Sequence, residues 1–140
     1  FLLESPLRAH TVAVILDSPV LNFGSTVDHA ASQTNLPLTS VAVPQSLAAV
    51  AKWIAGWRYD IDWNETDYVT RSRNLQTPML VIQGTDDETV PLDPAIELAE
   101  LRPDIVKLST PLGVGHVLAW NADPEGYERL IEVFLNDLDV

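Results

Sequence analysis

One aspartate and one histidine are the residues of this sequence best suited to carry chemistry. Asp87 lies in an acidic loop, residues 86–88, shortly after the apolar stretch 79–83. His116 lies in a later glycine-containing loop, residues 113–116. A histidine can act as a general base, and a carboxylate can fix its tautomer and stabilise the imidazolium. The two residues therefore indicate the base and the acid of a nucleophilic triad.

Each of these residues also has a plain structural interpretation. Asp87 could belong to a solvated acidic turn, because surface loops are commonly acidic. His116 could be a structural histidine in a tight turn. His10 and His29 are weaker candidates, since one precedes a strand and the other lies in a polar helix. Asp17 ends another strand on the same side and is the reserve acid, although an aspartate there also suits a turn.

The nucleophile of such a triad is missing from the sequence. Eight serines are present, but none lies in Gly-x-Ser-x-Gly, the strained turn that exposes a nucleophile at a strand end. Ser18 is followed by Pro19 and has no flanking glycine. There is no His-Gly-Gly loop for an oxyanion, and the absence of cysteine excludes thiolate catalysis. The chain is thus predicted to hold a base and an acid with nothing to activate.

The sequence gives no indication of a metal, a cofactor or a nucleic-acid partner. The acidic loop lacks the Asp-x-Asp-x-Asp-Gly pattern of a calcium site, and no paired histidines point to zinc. No glycine-rich phosphate loop is present, which argues against a nucleotide cofactor. The net charge of −12, from 8 basic and 20 acidic residues, disfavours nucleic acid and anionic membranes as partners. No apolar run approaches the roughly 20 residues of a transmembrane helix.

Three short strands are predicted to position the candidate residues. They are residues 11–16, 79–83 and 105–109, which are rich in apolar and β-branched side chains. Helical segments separate them, and this alternation predicts a parallel sheet of the α/β class with right-handed crossovers. Asp87 and His116 follow consecutive strands. They are therefore expected at the carboxyl edge of the sheet, where open α/β sheets place their ligands and catalytic groups.

Four helices complete the prediction. The first covers 26–34 with Ser25 as its cap, and the second runs from Pro44 to about residue 57. In the third, Asp93 is the cap and Pro94 begins the helix, which Arg102-Pro103 ends. The last starts in the same way at Asp123-Pro124. The second and last helices carry apolar stripes at three- and four-residue spacing. These stripes are Leu47, Val50, Ala51, Ile54 and Trp57, and Tyr127, Leu130, Ile131, Phe134, Leu135 and Leu138.

The 140 residues are predicted to form a single domain, residues 1–140, with one long excursion. Residues 22–76 are too long for a plain crossover and are placed where a lid could lie. Within them, residues 58–75 are expected to form loops pinned by aromatic side chains. Residues 1–8 look like the tail of a helix, so we expect the chain to be a fragment.

Three stretches together resemble the C-terminal half of an α/β-hydrolase. They are TVAVILDSPVLNF at 11–23, PMLVIQGTDDETVP at 78–91 and GVGHVLAWNADPEGYERLIEVFL at 113–135. The second is similar to the Gly-x-x-Asp-x-x-Val-Pro acid loop of that family, which aligns Asp87 with the triad acid. The third aligns His116 with the catalytic histidine. The nearest likeness is to bacterial serine hydrolases of the esterase and aminopeptidase-like groups.

The resemblance carries further expectations. It implies a three-layer fold in which the strands are the last three of a larger sheet, with the nucleophile upstream of residue 1. The parent would hydrolyse small-molecule esters or amides through an acyl-enzyme, and the 140 residues alone would be inactive. Residues 22–76 would shape an acyl pocket, with the helix 45–57 and Trp57 or Trp63 as contributors, although core packing is the plainer role for each. The strand at 11–16 would have lost its neighbour, so its edge would promote self-association.

Two other interpretations remain open at the level of the sequence. The chain could belong to a non-catalytic α/β-hydrolase-like module that binds without chemistry. It could also come from an enzyme with an aspartate nucleophile, as in the dehalogenases and epoxide hydrolases of the same fold. The segment that would hold the nucleophile distinguishes the second from a serine hydrolase.

Overall fold

A three-stranded parallel sheet forms the centre of the computed structural model, which describes residues 2–138. The strands are β1 (Val14–Asp17), β2 (Met79–Ile82) and β3 (Val106–Ser109), in the order β1-β2-β3. Val14 pairs with Met79, which in turn pairs with Val106 on its other side. The predicted parallel α/β sheet is therefore confirmed, although β1 begins three residues later than expected.

Helices cover both faces of the sheet. The α-helices in the described part of the chain are α1 (Phe23–Gln33), α2 (Gln45–Tyr59), α3 (Asp93–Leu101), α4 (Ala119–Ala122) and α5 (Pro124–Asn136). Two short 3₁₀ helices lie at Pro6–His10 and Ser72–Asn74. Because side chains alternate along a strand, β2 contributes to two cores. One contains Met79, Val81 and the α3 residue Leu98, and the other contains Leu80, Ile82 and the α5 residue Phe134.

The starts of two helices differ from the prediction. Asn22, not Ser25, caps α1, because its Oδ1 accepts a hydrogen bond of 2.9 Å from the Ser25 amide. Asp93 is the first residue of α3 and not its cap. Asp123 does cap α5, with its Oδ1 2.9 Å from the Gly126 amide nitrogen. The short helix α4 was not predicted.

The predicted apolar stripe of α2 does not pack into the core. Leu47, Val50 and Ile54 are about half exposed and Trp57 is 79% exposed. The face that packs inward instead carries small side chains, including Ala48 and Gly56. The indole of Trp63 lies so close to Gly56 that a side chain at that position would be crowded. Small residues therefore allow the close approach, and the large apolar side chains are left on the outside.

The excursion 22–76 is attached to the body at several points. Within the excursion, Lys52 of α2 forms a salt bridge with Asp28 of α1. Gln33, the last residue of α1, donates a 2.9 Å hydrogen bond to the carbonyl oxygen of Glu88 in the acidic loop. Arg102 donates to the carbonyl oxygens of Ser72 and Leu75. The Gln33 contact holds the end of α1 beside the loop that carries Asp87, and Arg102 holds the far end of the excursion.

The first strand lies at an edge of the sheet. The amides of Val14 and Ser18 donate to β2, at the carbonyl oxygens of Pro78 and Ile82. Backbone groups alternate along a parallel strand, so those of Ile15 and Asp17 point away from β2. Of the predicted helix tail at 1–8, Phe1 lies outside the described residues, and residues 2–4 form a turn. Within residues 2–138, no helix has the length and apolar character that crossing a membrane requires.

Candidate active site

The acidic loop and the histidine loop meet at the carboxyl edge of the sheet. Gly84 follows β2 and lies against the backbone of Val114. A Cβ atom at Gly84 would clash with the Val114 carbonyl oxygen, so only glycine permits this approach. The amide of Asp86 donates to the same oxygen at 3.1 Å, and Thr85 Oγ1 accepts from the Gly113 amide at 2.9 Å. The two loops are thus joined, immediately before Asp87 and His116, by backbone contacts and by the Thr85 hydroxyl.

Asp87 differs from its acidic neighbours in being buried. Its side chain is 1% exposed, whereas Asp86 and Glu88 are exposed residues. Its Oδ1 accepts hydrogen bonds of 2.9 Å from the amides of Thr89 and Val90. Its Oδ2 accepts from the Gln83 side-chain amide at 2.8 Å and lies 2.9 Å from the His116 ring. The solvated-turn interpretation therefore fits Asp86 and Glu88 but not Asp87.

These contacts favour the ionised form of Asp87. Burial raises the pKa of the Asp87 carboxyl, because it disfavours the charged state. The hydrogen bonds from Val90, His116, Thr89 and Gln83 act in the opposite direction and outweigh burial. The pKa consequently lies below its ordinary value of 3.8.

His116 presents one nitrogen to the acid and leaves the other free. Its Nδ1 lies 2.9 Å from Asp87 Oδ2, and its side chain is 37% exposed. A carboxylate beside Nδ1 favours the tautomer with the proton on that nitrogen. Nε2 then carries a lone pair. Among residues 2–138, Asp87 is the only hydrogen-bond partner of the ring.

The backbone next to His116 is held from β1. The residue after the histidine, Val117, has a positive φ of 54°, which is rare for a β-branched side chain. Its amide donates to Ser18 Oγ at 3.0 Å. Ser18 is buried and itself has a φ of 51°. Two strained residues thus connect the end of β1 to the histidine loop, and such strain is typical of functional sites.

The other candidates do not join this pair. Asp17 points toward Tyr127 of α5, where burial and then the Asp17 carboxylate raise the pKa of the tyrosine. His10 precedes β1, at the opposite end of the strands, and is exposed. His29 lies in α1 with its Nε2 2.7 Å from the Gln33 amide nitrogen. No group of three or more acidic, histidine or cysteine side chains in the described part of the chain could hold a metal ion.

No protein-family model and no curated protein matches the sequence, but solved structures do. An esterase from Pyrococcus furiosus superimposes with a TM-score of 0.58 and 16% identity, over 91% of this chain and 44% of the esterase. An esterase from Rhodococcus sp. ECU1013 gives a TM-score of 0.53 and 17% identity, over 94% of this chain and 60% of that one. A puromycin hydrolase gives a TM-score of 0.51 and 16% identity, over 75% of this chain and 15% of the hydrolase.

This chain has the α/β-hydrolase fold. The resemblance seen in the sequence is therefore confirmed at the level of the fold. The chain spans less than half of the length of the Pyrococcus furiosus esterase.

Sequence reasoning missed two side chains that contact the site. The sequence pattern marks Gln83 only as the end of a strand, and Ser18 only as an unsuitable nucleophile. A polar residue that closes an otherwise apolar buried run is a signal that could have identified Gln83, because buried amides need partners. Ser18 gave no comparable signal, since its contact with Val117 spans 99 positions.

Proposed function

We propose that this chain supplies the acid and the base of a serine hydrolase that acts on carboxylic esters or amides. Asp87 is the acid and His116 the base. The nucleophilic serine lies in a segment outside these 140 residues, upstream of residue 1. The observation that carries the proposal is the contact between a buried, ionised carboxylate and Nδ1 of a histidine whose other nitrogen has no hydrogen-bond partner within residues 2–138.

The proposed chemistry follows from that contact. His116 Nε2 removes the proton from the serine hydroxyl as the serine attacks the substrate carbonyl, and the imidazolium returns it to the leaving group. Asp87 keeps the ring in the required tautomer and stabilises the imidazolium. It remains ionised throughout, because its four hydrogen bonds favour the charged form. Water then cleaves the acyl-enzyme with His116 as base.

The substrate class is supported by the solved structures that share the fold. Two of them are described as esterases and one as a puromycin hydrolase. Small esters or amides also agree with an exposed histidine at the carboxyl edge of a sheet.

The excursion 22–76 is proposed to shape the acyl pocket as part of a single domain. Its first helix reaches the acidic loop through the hydrogen bond from Gln33 to Glu88. Trp63 is engaged in packing. Its ring stacks on that of Phe23 with the centroids 5.7 Å apart, and its Nε1 donates a hydrogen bond to the Lys52 carbonyl oxygen. Trp57 is exposed and therefore the better candidate for contact with substrate.

Labelling with a fluorophosphonate, followed by intact mass, tests the location of the nucleophile. The natural protein that contains this chain is expected to gain one label on a serine outside the 140 residues. The isolated 140-residue chain is expected to stay at 15.4 kDa without a label. A label on any of the eight serines would contradict the proposal. A natural protein that folds, binds small molecules and takes no label would favour the non-catalytic module.

A further inference from the structure

Gln83 is a fully buried amide at the end of an apolar strand. It is 0% exposed and directly follows the four buried apolar residues of β2. Its Nε2 donates to Asp87 Oδ2 at 2.8 Å and to the Val90 carbonyl oxygen at 3.3 Å. Both partners are acceptors. The amide orientation is therefore fixed, since the reversed amide would set its oxygen against two oxygens.

The other end of this side chain has no partner. Gln83 Oε1 is buried and makes no hydrogen bond within residues 2–138. A buried oxygen without a partner lowers stability, and an apolar side chain of the same length would avoid that cost. Packing alone thus does not explain a glutamine at this position. The hydrogen bonds that its Nε2 donates, to Asp87 and to the Val90 carbonyl oxygen, are the other candidate reason for a glutamine here.

The nitrogen completes the coordination of the Asp87 carboxylate. Oδ1 is held by two backbone amides, from Thr89 and Val90. These two bonds restrain the carboxylate only at Oδ1, because neither backbone amide contacts Oδ2. The bond from Gln83 adds a restraint at Oδ2, the oxygen that faces His116. It also occupies the part of Oδ2 that His116 does not use.

We propose that Gln83 is a positioning residue that sets the tautomer of His116. By holding Oδ2 toward the ring, it favours the proton on Nδ1 and leaves Nε2 with its lone pair outward. The inference deepens the proposed function, because that tautomer is the one a general base needs. The claim about the imidazole itself concerns only this chain and requires neither a nucleophile nor a substrate.

Gln83→Met is the variant that tests the proposal. Methionine keeps the length and apolar packing and removes both the donor and the unpartnered oxygen. The melting temperature should fall by only a few degrees, because the loss of the two Nε2 hydrogen bonds is partly offset by the removal of the buried unpartnered oxygen. The Nδ1–H to Nε2–H ratio of His116, measured by ¹⁵N NMR at alkaline pH where imidazoles are neutral, should fall about tenfold, because Asp87 Oδ2 is then held less firmly against Nδ1–H.

Gln33→Met is the matched control. Gln33 binds the same loop through the Glu88 carbonyl oxygen without touching Asp87. This variant should leave the tautomer ratio unchanged. An equal shift in Gln33→Met would attribute the effect to the loop as a whole and overturn the proposal. An unchanged tautomer ratio in Gln83→Met would also overturn the proposal. The same holds if neutral His116 of the wild type carries its proton mainly on Nε2.

Two further results keep the proposals separate. If Gln83→Met does not fold, Gln83→Leu gives the same comparison, and the wild-type tautomer alone can still contradict the proposal. A tautomer shift in a natural protein that takes no fluorophosphonate label would support Gln83 as a positioning residue and reject the hydrolase. A natural protein that takes the label but shows no tautomer shift in Gln83→Met would support the hydrolase and reject Gln83 as a positioning residue.

Discussion

At the scale of single residues, burial and hydrogen bonding distinguish Asp87 from the two acidic residues beside it. Three carboxylates occupy consecutive positions, yet only the middle one is buried and bonded through both oxygens. The neighbouring side chains remain in water, where a carboxylate needs no protein partner. Position in the loop, and not residue type, therefore determines which acid can serve His116.

The lowered pKa of Asp87 predicts a pH dependence of stability. Above the unfolded value of 3.8 the carboxylate is ionised in both states, and its stabilising contribution is fully present. As the pH falls through the lower folded pKa this contribution is lost, because the unfolded state takes up its proton first. The free energy of unfolding of the wild type should thus decrease, relative to Asp87→Asn, below about pH 4. Urea denaturation of both proteins between pH 7 and 2.5 measures these free energies. A difference between wild type and Asp87→Asn that stays constant with pH would contradict the lowered pKa of Asp87.

Ser18 is expected to stabilise the histidine loop through its hydroxyl. In Ser18→Ala the Val117 amide loses its acceptor, while the backbone at both residues keeps its positive φ. The free energy of unfolding should fall by about 1–3 kcal/mol. Ser32→Ala is the control, since Ser32 is exposed and its loss should change stability by less than about 0.5 kcal/mol. Equal effects of the two variants in urea denaturation would show that the Ser18 contact contributes nothing.

At the scale of elements, the site depends on two loops that touch before the candidate residues are reached. The approach of Gly84 to Val114 sets the distance between the end of β2 and the loop after β3. This spacing in turn allows the 2.9 Å contact between Asp87 and His116. The strands fix the ends of the loops, and the glycine fixes their separation.

Gly84→Ala should force the two loops apart. The added methyl group would clash with the backbone of Val114, which cannot rotate away as a side chain could. We expect a loss of about 1–3 kcal/mol of stability, and the loss of the ¹⁵N signature of the Asp87–His116 contact. Gly115→Ala is the matched control in the facing loop, because its Cβ would make only ordinary contacts at 3.5 Å and beyond. If Gly84→Ala were as mild as Gly115→Ala, the loop spacing would not govern the site.

The sequence predicts the elements well where local pattern decides them. The apolar run of β2 is buried on both faces, and the Asp123-Pro124 start of α5 is where it was expected. The α2 stripe was wrong because α2 carries apolar residues on every side. Its orientation then depends on the close approach of Gly56 to Trp63, which no local pattern shows. The cap of α1 was misplaced because Asn22 and Ser25, three positions apart, both suit that role.

The site itself was only partly predictable. Asp87 and His116 follow strands, so their chain positions alone suggested a common edge. The contacts of Gln83 and Ser18 arise from tertiary packing. A glutamine at a strand end and a serine before a proline have many ordinary roles, and only the folded chain shows what each one holds.

At the scale of the whole molecule, β1 presents an edge with few protective features. Val12 and Val20 flank the strand and are 54% and 43% exposed, and no lysine or proline lies within it. The backbone groups of Ile15 and Asp17 point outward. Exposed edges of this kind pair readily with another strand. We propose that the 140-residue chain associates with a second copy through β1.

Ile15→Lys should weaken that association. A charge at the free edge opposes pairing with an identical strand, because the two lysines of a symmetric dimer would lie close together. Sedimentation velocity over a range of concentrations should show a dimer for the wild type and a monomer for the variant. Val133→Lys on the outer side of α5, where the valine is 52% exposed, should remain dimeric. A wild type that is monomeric throughout would contradict the proposal.

The turnover of ester substrates by the natural protein with His116→Ala is the most direct test of the central claim. The account predicts that kcat/KM falls by about 10⁴-fold or more while the melting temperature is retained, because the general base is lost and the fold is not. His10→Ala, at the opposite end of the strands, should keep full activity. Undiminished turnover in His116→Ala, or a loss explained entirely by unfolding, would show that His116 is a structural residue and not the base of a hydrolase.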